Sequence, residues 1–399
     1  MNSNFDYLIV GCGLYGVTLA RRLTNCGFSC LLIDKRNHIG GNIYDEVHEN
    51  KGSIMTYHLY GPHVFHTSND IVINFISKYA IFNNYRANIL AADDNDNLYH
   101  LPFNMNTFYE VFKVNTVKEV KDIINKEISD SGLLNKEPTN LEEQAIKSVG
   151  STIYNKFIKN YTEKQWNTPC NKLSPDIIKR LPIRYYFDNN YFNDKFQGVP
   201  IGGYTKLIKN IIEGTYQELK IPYILNLDFI THRKELEQWS KNIIYCGSID
   251  ELFDYKLGIL EYRSLEFKNE KYIFTTDNTS GTAQINFIGK NVPYTRMIEH
   301  IYFTPESIDN FYGEELMKTF EKPVDWNFYR ERYYSIPNKK NIDLYNNYIK
   351  LLEKYNKDNN INIYMGGRLG KYKYLDMDDT ILEAIYNSNE LMGKSMTKL

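Results

Sequence analysis

The 399-residue sequence is 42% hydrophobic and 24% charged with a formal net charge of −2, enough apolar material for two or three domains. This balance excludes a global electrostatic footprint for nucleic acid or an anionic membrane, so any basic site is local. Cys12, Cys26, Cys30, Cys170 and Cys246 are odd in number and scattered, which argues against a disulfide framework or zinc knot, and with no run of roughly 18 apolar residues and no basic leader the reading is of a cytoplasmic protein without a transmembrane segment.

In chain order, "FDYLIV" predicts a short buried strand and "GCGLYG" a turn. "LYGVTLARRLTNCG" follows as a helix with Leu14, Val17, Ala20 and Leu23 on one face, stopped by Gly27, and "FSCLLID" is a second strand ending at Asp34. Gly11, Gly13 and Gly16 suit a dinucleotide turn: a tight bend, backbone approach to a pyrophosphate, and close helix packing, with the helix N-terminus at Leu14 facing the phosphates. Asp34 lies 18 residues past Gly16, the spacing of a carboxylate that takes ribose hydroxyls.

"DKRNHIGGNIYD" then places a second glycine pair, Gly40-Gly41, where a longer dinucleotide would continue. Strand, Asp34, Lys35, Arg36 and Gly-Gly-Asn42 are similar to the large FAD-binding class that includes glutathione reductase and amine oxidases. The C-terminal "INIYMGGRLGKYKYLDMDDTILEAI" supplies its usual partner, a strand, a glycine turn ending in Arg368, and a helix from Met377 whose N-terminus can meet a flavin. "HLYGPHVFHT" carries Tyr60 and three histidines, His58, His63 and His66. No cysteine or carboxylate cluster completes a metal set, and either His63 or His66 is read as a flavin neighbour.

Between the two ends, apolar residues recurring every three to four positions predict a small helical bundle over 105–176, with breaks at Ser131-Gly132 and Glu137-Pro138. Alternating, Tyr- and Phe-rich stretches over 177–199 and 258–335 read as one antiparallel sheet, "VPIGGYTKLIKNII" as strand, turn and helix, and "KYNKDNNINIY" as a polar loop. The expected fold is α/β. A discontinuous Rossmann-like FAD-binding domain takes 1–82, 200–257 and 336–399, the helical bundle takes 105–176, and an antiparallel sheet domain takes 83–104, 177–199 and 258–335.

Thirty-four tyrosines are mostly half-buried sheet residues on this reading; arginine discriminates better. Arg180 and Arg296 fall in aromatic, Pro-containing loops outside the flavin domain, where a guanidinium fork suits two phosphate oxygens and tyrosine a hydroxyl and a face for base or sugar. No nucleophile elbow, Walker loop or paired-carboxylate site appears, so the cofactor must carry the chemistry.

Taken together, "VGCGLYG", "DKRNHIGGN", "YGPHVFHT", "LPFNMNTF", "NLEEQAI", "YTEKQW", "FDNNYF", "VPIGGYTKL", "LEYRSL", "NVPYTRMIEH" and "GGRLGKYKYLDM" make the chain resemble, end to end, the bacterial UDP-galactopyranose mutases. The resemblance implies an isomerase that interconverts UDP-galactopyranose and UDP-galactofuranose for surface polysaccharide, through attack of N5 of reduced FAD on the anomeric carbon. It implies a UDP-sugar as substrate partner and a homodimer, with no nucleic acid. Arg180 and Arg296 match the diphosphate clamp and His66 the histidine beside the flavin. Phe157, Tyr161, Thr162 and Trp166 match a uridine pocket; Asn88, Tyr191, Tyr334, Tyr374 and Asp376 match further UDP and sugar contacts. His63 lies by the sugar, Arg263 matches a structural or active-site arginine, and Arg368 a cofactor contact, with Lys35, Gly41, Asn42, Tyr60, Asp376 and Met377 also on the cofactor. Departures are Asp34 for the commoner Glu, "ERYYS" around Tyr334, and Asp378 for His. An amine-oxidase-like oxidoreductase and a catalytically dead flavoprotein are the competing readings.

Overall fold

The computed structural model describes residues 5–178 and 181–393. The chain divides into two compact units: one takes the chain up to Asn84, Asp194–Tyr262 and the stretch from Arg332 onward, the other Tyr85–Asn193 and Arg263–Glu331. The expected helical bundle and most of the expected sheet segments thus fall within one unit.

In the first unit a parallel sheet runs in the order Asn362–Met365, Asn242–Tyr245, Tyr7–Val10, Cys30–Ile33, Tyr223–Ile224. The two central strands are apolar throughout, as a sheet covered on both faces requires. The helix Leu14–Thr24 packs on Met377–Leu391, with the Tyr15 ring against Gly366, so the N- and C-terminal glycine turns meet. Two long-range residues hold the helix Tyr204–Glu213. The buried Asp45 carboxylate accepts the N–H groups of Tyr204 (2.6 Å) and Thr205 (2.9 Å), doing what Gly203 at the N-cap cannot. At the other end fully buried Arg21 donates to the carbonyls of Ile211 (2.8 Å), Ile212 (2.9 Å) and Leu219 (2.7 Å).

Six strands of the second unit lie in the order Tyr262–Ile273, Glu315–Asp325, Arg296–Glu299, Gln284–Phe287, Ile89–Ala92, Leu98–Leu101. Helices Met105–Phe112, Val117–Asp130 and Leu141–Ile153 start at Asn104, Thr116 and Asn140, whose side chains accept backbone N–H groups of the first turn. Their buried faces (Phe108, Val120, Ile124, Ala145, Val149) share one core with Ile89, Ala91 and Leu101 of the sheet.

Three expectations are corrected. The sheet is mixed, because Gln284–Phe287 pairs in parallel with Ile89–Ala92; its strands come from segments nearly 200 residues apart, and alternation does not record direction. The described residues of 177–199 form no strand of that sheet. Among the described residues there, only Phe196–Gly198 is a strand, and it pairs with Phe65–Thr67 in the first unit. The stretch before it is a loop whose turn at Asp188-Asn189-Asn190 is gathered by buried Arg184, which donates to the Asn190 carbonyl and the Asn193 side chain. The supposed polar loop before the last strand is the end of a 21-residue helix, Lys339–Asn359, in which Tyr348 and Leu352 keep a buried stripe despite the asparagines, and Asn360 closes it in the left-handed region (φ 51°).

Candidate functional site

The first unit offers a surface built mainly of backbone. Gly13, with an extended backbone and no side-chain cap, precedes the helix Leu14–Thr24, so the first N–H groups of that helix receive no acceptor from the cap residue. Gly16 seats the helix on the turn: a Cβ there would lie 2.1 Å from the Gly11 carbonyl oxygen. Gly13 and Gly40 form an isolated parallel bridge, and a Cβ on Gly41 would come within 3.1 Å of Gly13 Cα, so the two glycine turns lie edge to edge. Asp34, 9% exposed, is locked at the strand end, one oxygen accepting the Cys12 N–H (2.8 Å) and the other that of Arg36 (2.9 Å). Arg36 lies over the Tyr60 ring (4.7 Å) and donates to Asn42 (3.0 Å). Lys35 is exposed and 3.6 Å from Glu251. Free helix N–H groups, a backbone cradle that a Cβ would fill and a fixed carboxylate at a strand end together fit a dinucleotide.

The same unit brings together the C-terminal candidates. Arg368 sits over the rings of Tyr374 (4.7 Å) and Tyr334 (5.6 Å) and donates to the Tyr333 carbonyl (3.2 Å). The Tyr374 hydroxyl donates to Asp376 (2.9 Å), which precedes the helix Met377–Leu391 without capping it through its side chain. A guanidinium over two aromatic faces is fixed in plane and attractive to anions. His66 Nδ1 pairs with Asp194 (2.8 Å), a carboxylate that also accepts from Ser68, which leaves Nε2 as the nitrogen turned away from the pair. His63 donates its backbone N–H to His58 Nδ1 (3.0 Å), and its carbonyl accepts from Tyr204 (3.2 Å). Complete burial pushes the His58 imidazole down to about 3, so that it is neutral. Among the described residues no three His, Cys, Asp or Glu converge for a metal ion.

The second unit is organised by side chains. Arg296 opens the strand Arg296–Glu299, and both its Nε (3.0 Å) and Nη2 (2.7 Å) donate to one oxygen of Glu321, a fully buried residue of the neighbouring strand. One edge of the guanidinium is therefore fixed. Glu321 has no motif signature in the sequence, since a single Glu in a strand reads as an exposed residue. Burial pushes the Tyr191 phenol up, opposed by Arg296. Asn88 is exposed, and its carbonyl accepts from Thr282 (2.6 Å). Arg180 lies outside the described residues.

The helical run reaching Trp166 is broken at Gly150 (φ 81°) and then by a π-helical turn, Tyr154–Ile158, before Lys159–Trp166. Such a turn re-aims the face that follows and is frequent at functional sites. Thr162 is buried, Tyr161 and Trp166 are partly exposed, and Phe157 is 4% exposed, edge-on to Tyr99 and Phe103 in the core. Arg263 is buried, with Nε donating to the Gln165 carbonyl (3.0 Å) and Nη1 paired with Asp325, a tie between strand and helix end.

A family model described as UDP-galactopyranose mutase matches residues 156–374, and one described as an NAD(P)-binding Rossmann-like domain matches residues 9–79. The chain is 37% identical over 392 residues to a probable UDP-galactopyranose mutase of Klebsiella pneumoniae, covering 98% of this chain and 96% of the relative. It is 36% identical over 381 residues to a dTDP-fucopyranose mutase of Escherichia coli, covering 95% and 96%. The solved structure of a reduced UDP-galactopyranose mutase is similar in fold, with a TM-score of 0.69 at 14% identity over 99% of this chain and 95% of that one.

Proposed function

As the chain belongs to the UDP-galactopyranose mutase family and is an isomerase of that family, we propose that its substrate pair is UDP-galactopyranose and UDP-galactofuranose and that its dinucleotide is FAD, active when reduced. The observation that carries the reading is the match to curated mutases over nearly the whole chain, joined to a Rossmann-like unit with two abutting glycine turns. Reduced flavin, when bound, supplies the N5 nucleophile for the anomeric carbon. The rest falls to the protein.

Leu14 and its neighbours at the helix N-terminus hold the pyrophosphate with backbone N–H groups, Asp34 takes ribose hydroxyls on the lone pairs its two backbone bonds leave, and Arg368 fixes the two tyrosine faces beside the ring system. His66, oriented by Asp194, presents Nε2 towards the flavin. Arg296, braced by Glu321, grips the diphosphate while UDP is detached, with Arg180 as the second member of the clamp. Tyr161, Thr162 and Trp166 hold the uracil over Phe157; Asn88, Tyr191, Tyr334, Tyr374, Asp376 and His63 contact phosphate and sugar, and Arg263 keeps the helix end in place. The reading is completed by a cytoplasmic homodimer that supplies furanose to surface polysaccharide.

Incubating the purified yellow protein with UDP-galactofuranose, with and without dithionite, tests it by chromatography. Conversion to the pyranose after reduction, with no net consumption of reductant, is expected; oxidation of a donor with the furanose untouched would favour the oxidoreductase reading. The 36% identity to a dTDP-fucopyranose mutase makes a dTDP-fucofuranose arm necessary, and a preference for it would replace the UDP-galactose assignment.

A further inference from the structure

Lys164 is half-buried on the helix Lys159–Trp166 and lines a cavity of about 580 Å³ in the second unit. The other cations on that wall are mostly engaged: Arg263 with Asp325 and the Gln165 carbonyl, Arg330 with Glu266 and the Asp325 carbonyl. Lys164 instead spends its whole donor set on neutral backbone. Its Nζ donates to the carbonyls of Phe287 (2.8 Å), Val292 (3.0 Å) and Tyr294 (3.0 Å), and an ammonium has three N–H groups.

All three acceptors belong to one connection, the chain that leaves the strand Gln284–Phe287 and enters Arg296–Glu299. The connection is also held at its tip, where Asp94 accepts the N–H groups of Lys290 (2.9 Å) and Asn291 (3.0 Å). Lys164 therefore ties the start of the connection at Phe287 to the half, Val292 and Tyr294, that runs into Arg296. Its own helix carries Tyr161, Thr162 and Trp166, and two residues on, Trp166 points to the opposite side, about 200° round the axis. A bond network this specific is more than a surface charge needs.

We propose that Lys164 is a positioning residue for nucleotide recognition, fixing the helix that bears Thr162 and Trp166 against the connection that delivers Arg296, so that the base and diphosphate subsites keep one spacing. The proposal rests on the UDP reading above. Burial pushes the Lys164 amine down to about 8, opposed by Asp94; the other charged groups lining the cavity with it are Glu163, Arg263, Lys290, Asp325 and Arg330. Deprotonation leaves two donors for three carbonyls, so the tie loosens as pH rises through that value.

The test uses the whole flavoprotein, wild type beside Lys164→Met and Lys164→Gln, and measures two things: amide hydrogen exchange over 287–295, and UDP affinity by calorimetric titration across the pH range from about 7 to about 9.5. Lys164→Met is expected to speed exchange in 287–295, to weaken UDP roughly tenfold to a hundredfold, and to abolish the loss of UDP affinity that the wild type shows above about pH 8. Lys164→Gln, with two donors, recovers part of the affinity, and it carries the comparison alone if Lys164→Met does not fold. Unchanged exchange in the variant overturns the tie, and unchanged UDP affinity with faster exchange overturns the positioning role alone. A wild type that does not bind UDP overturns the substrate reading and the role with it.

Discussion

The two units prepare for ligands by different means. In the first, the dinucleotide surface is backbone: helix N–H groups, two glycine turns in contact, and one carboxylate held by two N–H donors. In the second, the polar groups are side chains held by partners far away in the chain: Arg296 by Glu321, Lys164 by carbonyls at 287, 292 and 294, Arg263 by Asp325. A backbone cradle is tolerant of side-chain changes but intolerant of any added Cβ. A side-chain site behaves in the opposite way, because each group depends on a partner that substitution can remove.

The largest break falls on the cradle. Gly16→Ala forces a methyl to 2.1 Å from the Gly11 carbonyl, so the helix must lift from the turn; we expect destabilisation of about 3 kcal/mol or more and a protein purified without flavin absorbance, against an unchanged spectrum for Lys209→Ala on the exposed face of the helix Tyr204–Glu213.

On the other side of the comparison, the proposed diphosphate role of Arg296 predicts that Arg296→Ala weakens UDP binding by about 2 to 5 kcal/mol; it also strands the buried Glu321 carboxylate, so melting temperature should fall as well. Arg296→Lys keeps the charge and loses the fork: its expected signature is a large rise in KM with stability nearly kept. Glu321→Gln should weaken UDP by about 1.5 to 3 kcal/mol through Arg296 alone, read by titration.

His58 sharpens the contrast from the first unit. Its folded form is neutral down to about pH 3 while the unfolded side chain protonates near the ordinary histidine value of 6.5, so the unfolded state binds the extra proton. Stability present above 6.5 is lost as pH falls below it, by about 1.4 kcal/mol per unit. Urea midpoints followed from pH 7 to 5 should show that slope, and His58→Gln should flatten it. The smallest effect is expected at Asp45→Asn, about 1 kcal/mol from a weakened cap on the helix Tyr204–Glu213, seen as a modest fall in melting temperature with substrate affinity kept.

The same contrast explains what reading the chain alone achieves. The turn at Gly11, Gly13 and Gly16, Asp34 at the strand end and the helix from Met377 are consecutive or nearly so, and their geometry follows from local rules about glycine, helix ends and buried strands. The helices after Asn104, Thr116 and Asn140 are equally legible, because cap and apolar stripe lie within one segment. The loop 181–195 misleads, since its aromatic alternation is that of a strand while Arg184, drawing on partners up to nine residues away, gathers it into turns. The helix Lys339–Asn359 misleads the other way, its asparagines masking a stripe that tertiary packing rewards.

By itself, then, the sequence determined the Rossmann-like architecture, the positions of its glycine turns and the helical character of 105–166. Only the tertiary structure decided that Glu321 braces Arg296, that Lys164 binds carbonyls rather than a carboxylate, and that Asp45 and Arg21 cap one helix from 159 and 190 residues away. The physical reason is range: backbone geometry and capping are settled within a few residues, whereas a buried charge takes whichever partner the finished fold brings within about 3 Å.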